Sequence, residues 1–278
     1  MTTLKSNLFA VALSSALSLG VFTFGAWAQS LDFGADGSDG NVEVEAENGI
    51  EWRQDEQVIL ARGNARAKRG RVTILADELR AYYKEKQTGG SDIWRLDADG
   101  NVRIVTPGEK ASGELAVYDI AQSILVLSGA KVKFETANDV ITADQQLEYW
   151  EKRKMAVARK NAVAVRDDKR IKADVLVAYF RDTKQGETEV HRIEAFDNVH
   201  IRTKKDKVWA DRGVYNVKSG IATLTGSVKL ERGKNKLNGC KAVVNLNTGV
   251  SKLYGCQNTG TGRPRVSGTL QHGNVKRK

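Results

Sequence analysis

The sequence predicts an all-β protein, a twisted, open antiparallel β jelly roll built from strand pairs in series. Three observations predict it. Apolar and polar residues alternate with a period of two over most of the chain, as in Ile171, Ala173, Val175, Val177 and Tyr179. Glycine-bearing or charged reversals separate the alternating runs, and the five charges Arg166, Asp167, Asp168, Lys169 and Arg170 are the clearest of them. The same pattern opens six times, at Gly63-Asn64, Gly100-Asn101, Gly129-Ala130, Lys160-Asn161, Asp197-Asn198 and Gly226-Ser227. A period of two excludes helical repeats, and propeller blades need about 40–45 residues each. The 278 residues hold only two prolines beside 26 glycines, which suits strands joined by glycine turns.

The chain opens with Lys5 and an uncharged stretch from Ser6 to Ala28 that ends in Ala26-Trp27-Ala28. Residues 1–28 therefore read as a secretory signal peptide cut before Gln29. A stretch of about 20 apolar residues also admits an uncleaved membrane anchor. Either reading puts the body outside the cytoplasm. Residues 29–41 form a glycine–aspartate linker, because the closing glutamate of a calcium loop is missing.

The alternating body spans residues 42–256. Each unit opens with a turn pair and a short alternating strand: Ala65 and Ala67, Val102 and Ile104, Val132 and Phe134, Val163 and Val165, Val199 and Ile201, Val228 and Leu230. A second strand follows with an apolar-x-Ala-Asp core, ending at Asp77, Asp144, Asp174 and Asp211. The second unit degenerates to Ala111–Asp119, and the sixth carries Leu237–Cys240 in place of the Ala-Asp core. Short strands such as Ile93–Leu96, Ile124–Leu127 and Met155–Ala158 link the units. Strands of about seven residues are expected. No unit can bury its apolar face alone, so the stack folds over on itself around one interior. That interior is rich in alanine and valine, which fits a packed core and equally a space for an apolar ligand.

Cys240 and Cys256 lie equally far from Thr248, the centre of an Asn247-Thr248-Gly249 turn. In an oxidising space they read as a cross-strand disulfide, the alternative being two free thiols. Residues 257–278 are basic and weakly periodic, and read as a disordered tail in which Arg263–Val266 could add an edge strand.

Nothing in the pattern points to catalysis, a cofactor or a metal. His191, His200 and His272 lack ligand spacing, and His200, between Val199 and Ile201, is expected to face solvent. The recurring aspartates read as architectural, since catalysis needs one converged site. Asn64, Asn101, Asn161 and Asn198 read as turn residues tolerant of positive φ. Lys204, Lys205 and Lys207 with Trp209 form the densest basic patch, and read as a solvated reversal rather than a nucleic-acid surface.

The motif Gly-Asn-Val-x-Ile, then Ile-x-Ala-Asp-x-x-x-Tyr, resembles the OstA-like family. Ala61–Tyr83, Leu127–Trp150 and Thr225–Leu246 carry the resemblance, which covers Val42 to Tyr254. It implies a non-enzymatic periplasmic carrier of lipopolysaccharide that shields the lipid A acyl chains inside the jelly roll. It also implies head-to-tail stacking and contacts with inner-membrane and outer-membrane transport components through edge strands near Val42–Ala46 and Val250–Tyr254. An anchored family member with the same fold is the alternative role. The chain departs from compact members in its length, its cysteine pair and its basic tail. The inward, lipid-facing row is expected at Val102, Ile104, Val132, Phe134, Ile141, Leu147, Val163, Val165, Ile171, Val177, Val199, Ile201 and Val208. A bulge near the Ala-Asp step would shift that register by one.

Overall fold

The computed structural model describes residues 42–87, 90–184, 188–248, 250–256 and 265–270. The expected signal segment and linker lie outside the described residues. The strands are β1 (Glu43–Glu45), β2 (Ile50–Arg53), β3 (Val58–Arg69), β4 (Val72–Glu85), β5 (Ser91–Val105), β6 (Glu109–Asp119), β7 (Ile124–Ser128), β8 (Val132–Thr136) and β9 (Asp139–Ala143). They continue as β10 (Gln146–Trp150), β11 (Met155–Arg166), β12 (Lys169–Asp182), β13 (Thr188–Arg202), β14 (Asp206–Asn216), β15 (Ile221–Arg232), β16 (Asn235–Asn245), β17 (Ser251–Tyr254) and β18 (Ser267–Thr269). All belong to one antiparallel sheet in which most neighbours in sequence pair in space. Among the described residues the only helix is a 3₁₀ turn at Glu151–Arg153, so none is long and apolar enough to cross a membrane.

The strands are longer than the sequence suggests. β12 has 14 residues and β13 has 15. The Gly-Asn pairs read as reversals are bulges inside these strands, where the register slips between Arg62 and Ala65, Asp99 and Val102, Arg159 and Ala162, and Phe196 and Val199. Their positive φ is as expected: 76° and 48° at Gly100 and Asn101, 58° and 51° at Asp197 and Asn198. That dihedral pair suits a tight turn or a bulge, and a bulge bends its strand and sharpens the twist. Every long strand is thus creased at mid-length. The creases align across the sheet and divide it into two half-sheets that face each other.

The recurring aspartates and asparagines hold the crease. The Asn101 side-chain amide donates to Asp77 at 2.9 Å, Asn161 to Asp144 at 2.8 Å, and Asn198 to Asp174 at 2.7 Å. Asn64 donates to Glu47 at 2.8 Å. Where the asparagine is missing, the backbone N–H of Ala130 or Ser227 donates to Glu114 or Asp211 at 3.1 and 3.2 Å. A carboxylate on one strand therefore latches the bulge of the next, as local side-chain bonds do where a ladder is interrupted. At Gly100 the demand for glycine is double: φ is positive, and an added Cβ would lie 2.2 Å from an Asp77 oxygen.

In mid-sheet the creased strand is cut. β7 and β8 replace one long strand between β6 and β11, and β10 and β9 replace the next. The two end edges are split in the same way. β1 and β2 cover β3, and β17 and β18 cover β16. Part of the stretch expected to be an unstructured tail is therefore strand, at Ser267–Thr269; of the edge strand expected at Arg263–Val266, Arg263 and Pro264 lie outside the described residues, and Arg265 and Val266 are not strand.

An apolar cavity between the half-sheets

The crease reverses side-chain parity along each strand. In β12, Ile171 and Ala173 face inward before the bulge, and Leu176, Ala178 and Phe180 face inward after it. The facing inner surfaces enclose an apolar cavity of about 260 Å³. One half-sheet lines it with Leu125, Leu127, Leu147, Leu176 and Leu224, the other with Phe134, Ile141, Ile171, Ile201, Val208 and Leu230. Its walls are almost wholly hydrocarbon, the environment that stabilises alkyl chains removed from water by about 25 cal/mol per Å².

Of the expected inward row, Phe134, Ile141, Leu147, Ile171, Ile201 and Val208 line this cavity. Val102, Ile104, Val132 and Val199 lie deeper, buried in the packed core at the crease. Val163 and Val165 do not face inward. The slip between Arg159 and Ala162 turns Ala162 into the core and packs Ala164 against it. Val177 is buried and borders the cavity, but the side chain in the core cluster is its neighbour Leu176. Leu176, Phe180, Val190, Ile193, Leu224 and Val244 also line the cavity and were missed. Their signal is a second apolar alternation, one residue out of phase with the first.

One rim of the cavity is polar, and it repeats. Thr136 opens a tip that closes at Asp139, whose N–H is bonded by the Thr136 hydroxyl oxygen at 3.0 Å. Thr203 and Asp206 form the same 3.0 Å contact. Each aspartate then takes both prongs of the arginine opposite it: Arg166 on β11 for Asp139, Arg232 on β15 for Asp206. The third copy is Thr106 to Glu109, and there the residue opposite is Thr136, not arginine. Glu109 has no cationic partner among the described residues, and the Thr106 Oγ1 is buried without a hydrogen bond. Burial accordingly pushes the Glu109 carboxyl up to about 7.

That position gives a pH prediction. The folded chain binds a proton at Glu109 more readily than the unfolded chain, whose ordinary value is 4.5. The site therefore leaves stability intact below the unfolded value and subtracts from it as pH rises through the folded one. Relative to Glu109→Gln, the native chain should lose roughly 1–3 kcal/mol between about pH 4.5 and 8. Urea midpoints of both proteins measured across that range will check it; parallel pH profiles would contradict it.

His200 lies on the outer face as expected, but half-buried. Its register partner is Trp209, and the rings stack at 4.8 Å and 9°. Cys240 and Cys256 are bonded, with Cα atoms 4.8 Å apart. The pairing is as expected although the ladder is not. β16 and β17 pair Lys241 with Tyr254, one residue off a turn centred on Thr248.

Comparison with known proteins places this architecture. The family model described as LptA/(LptD N-terminal domain) LPS transport protein matches the chain twice, over residues 43–149 and 140–250. The chain belongs to this family. The LptA/LptD family matches meet at β9 and β10, in the middle of the sheet where the strands are split. A curated relative, an uncharacterized protein of Rhizobium meliloti (strain 1021), is 23% identical over 112 residues, which are 39% of this chain. The chain spans 60% of that relative's length. The crystal structure of LptH, the LptA-homologous periplasmic component of the lipopolysaccharide transport device of Pseudomonas aeruginosa, aligns with 84% of this chain and 96% of that one, at 11% identity and a TM-score of 0.21.

Proposed function

We propose that this chain is a periplasmic carrier and bridge for lipopolysaccharide. The lipid A acyl chains lie in the cavity between the half-sheets while the lipid passes from an inner-membrane to an outer-membrane component. The observation that carries the reading is one apolar cavity lined from both half-sheets, in a chain of the lipopolysaccharide transport family. The task needs no covalent step, so the carrier acts without a catalytic residue.

The end edges support stacking. Exposed edge strands invite further pairing. Among the described residues, seven of the ten exposed large apolar side chains sit on them or beside them: Val42, Ile50 and Trp52 at one end, Val250, Tyr254, Val266 and Leu270 at the other. Trp52 is 64% exposed and Leu270 73%. Joining unlike edges is a heterologous contact that extends without closing, so copies add head to tail and keep the cavities in line. The same edges would receive the membrane components at the two ends of the bridge.

A photo-crosslinking scan tests the carrier reading. Crosslinkers at Ile171, Leu176 and Phe180 should capture labelled lipopolysaccharide, and those at Val163 and Val165 should not. Capture at both sets, or at neither, would refute it.

A further inference from the structure

The outer face of the sheet carries many cations, and several pair with a carboxylate two residues along their own strand. Arg95 pairs with Asp97 at 2.6 Å, Lys133 with Glu135 at 2.5 Å and Lys229 with Glu231 at 3.0 Å. Arg80 with Glu78 and Arg192 with Glu194 follow the same rule.

At the hairpin-tip ends of β12, β13 and β14 the rule fails. Arg170 lies directly opposite Arg202, and Arg202 directly opposite Lys207. Two residues along their strands stand Lys172, His200 and Trp209 instead of acids, themselves a cross-strand row. Like charges directly opposite one another destabilise a sheet, so this row costs stability unless something neutralises it. Among the described residues none of Arg170, Lys172, Arg202 and Lys207 forms a salt bridge. Glu231, in register with Lys207, is held by Lys229 and Lys236. Asp168, at the neighbouring tip, accepts the Lys204 backbone N–H at 3.3 Å. The four cations converge on one imidazole: burial lowers the His200 pKa, and the charges of Arg202, Lys207, Arg170 and Lys172 lower it further.

Position along the strands links this row to the cavity. Ile171, Ile201 and Val208, adjacent in sequence to Arg170, Arg202 and Lys207, point to the other face and line the cavity. The charged row thus backs the apolar wall at the rim where the hairpin tips end. A ligand with alkyl chains inside and phosphates at its head would meet both surfaces at that rim.

We propose that Arg170, Arg202 and Lys207 bind phosphate groups on the head of the lipid whose chains occupy the cavity. The proposal rests on the carrier reading. Guanidinium groups bind phosphate through paired, charge-assisted hydrogen bonds, and a bound phosphate would relieve the repulsion within the row.

The test uses the mature full chain and a variant combining Arg170→Gln, Arg202→Gln and Lys207→Gln, which removes the repulsion and so does not threaten folding. Affinity is measured for lipopolysaccharide and for the same lipid stripped of its phosphates. The native chain should hold the phosphorylated lipid about tenfold tighter, and the variant should lose that preference while binding the stripped lipid as before. Unchanged preference, or equal loss on both lipids, overturns the proposal. If the native chain binds neither lipid, the carrier reading fails. Inorganic pyrophosphate, followed by Trp209 fluorescence, then decides the patch: saturable quenching that is absent in the variant supports a phosphate site, and no quenching overturns it. A variant that loses only its sedimentation with phosphatidylglycerol vesicles would assign the row to a bilayer surface and overturn the lipid-head proposal.

Discussion

Asp139→Ala should lower the free energy of unfolding by about 3–5 kcal/mol, the largest single loss expected in this chain. Asp139 and Arg166 have side chains only 6% and 10% exposed, and the guanidinium grips the carboxylate with two nitrogens. Removing the carboxylate takes the bidentate charge partner from a buried cation, and less of its desolvation is then offset. The place matters as much as the burial. β8 and β9 have five residues each, and β9 joins the second half of the sheet through only four register pairs with β11. Asp139 and Arg166 form the last of those pairs. Adding Arg166→Leu should recover most of the loss, because an apolar pair of similar volume suits the site. Urea unfolding of the single and double variants will measure both effects. A loss below about 1 kcal/mol for the single variant would show that water reaches the arginine.

The strand pattern was legible because period-two alternation is local. Ile171 and Ala173 face inward, as do Val102 and Ile104, and each could be read from its immediate neighbours. The cavity wall beyond each crease was not legible in the same way. A slip of one residue at Asp174 exchanges Val175, Val177 and Tyr179 for Leu176, Ala178 and Phe180, and both sets alternate. Sequence offers two self-consistent phases there, and only pairing with β13 chooses between them. The Gly-Asn pairs show the same limit. Positive φ was read correctly from residue type, but a bulge and a turn share that conformation. They differ in whether the chain continues in the same direction, which is a long-range fact. The Thr-x-x-Asp/Glu rim also went unread, because its arginines lie 26 and 27 residues away on other strands.

Removing the disulfide, by Cys240→Ser with Cys256→Ser, should cost about 3 kcal/mol and should loosen the last edge before the rest of the sheet. The first part follows from the separation of 16 residues, which sets the loop closed in the unfolded chain. The second follows from where the bond sits. Asp77 precedes Glu78, which pairs with Asp99, and its latch partner Asn101 lies two residues beyond Asp99. Cys240 precedes Lys241, which pairs with Tyr254, and Cys256 lies two residues beyond Tyr254. Asp174 with Asn198 keeps the same offsets about the Val175–Phe196 pair. The cysteines therefore occupy the aspartate and asparagine positions of the last crease, and a covalent bond replaces the hydrogen-bonded latch. The latches of Asp77 with Asn101 and of Asp174 with Asn198 join strands braced by long ladders on both sides. Here β17 has four residues and β18 three, and among the described residues no strand pairs with their outer edges. A hydrogen bond worth about 1 kcal/mol would leave both free to fray. Amide exchange should thus rise in β17 and β18 of the serine variant while β11 to β15 stay protected. Uniform loss of protection would mean that the bond stabilises only the whole fold, and that the edge needs no latch of its own.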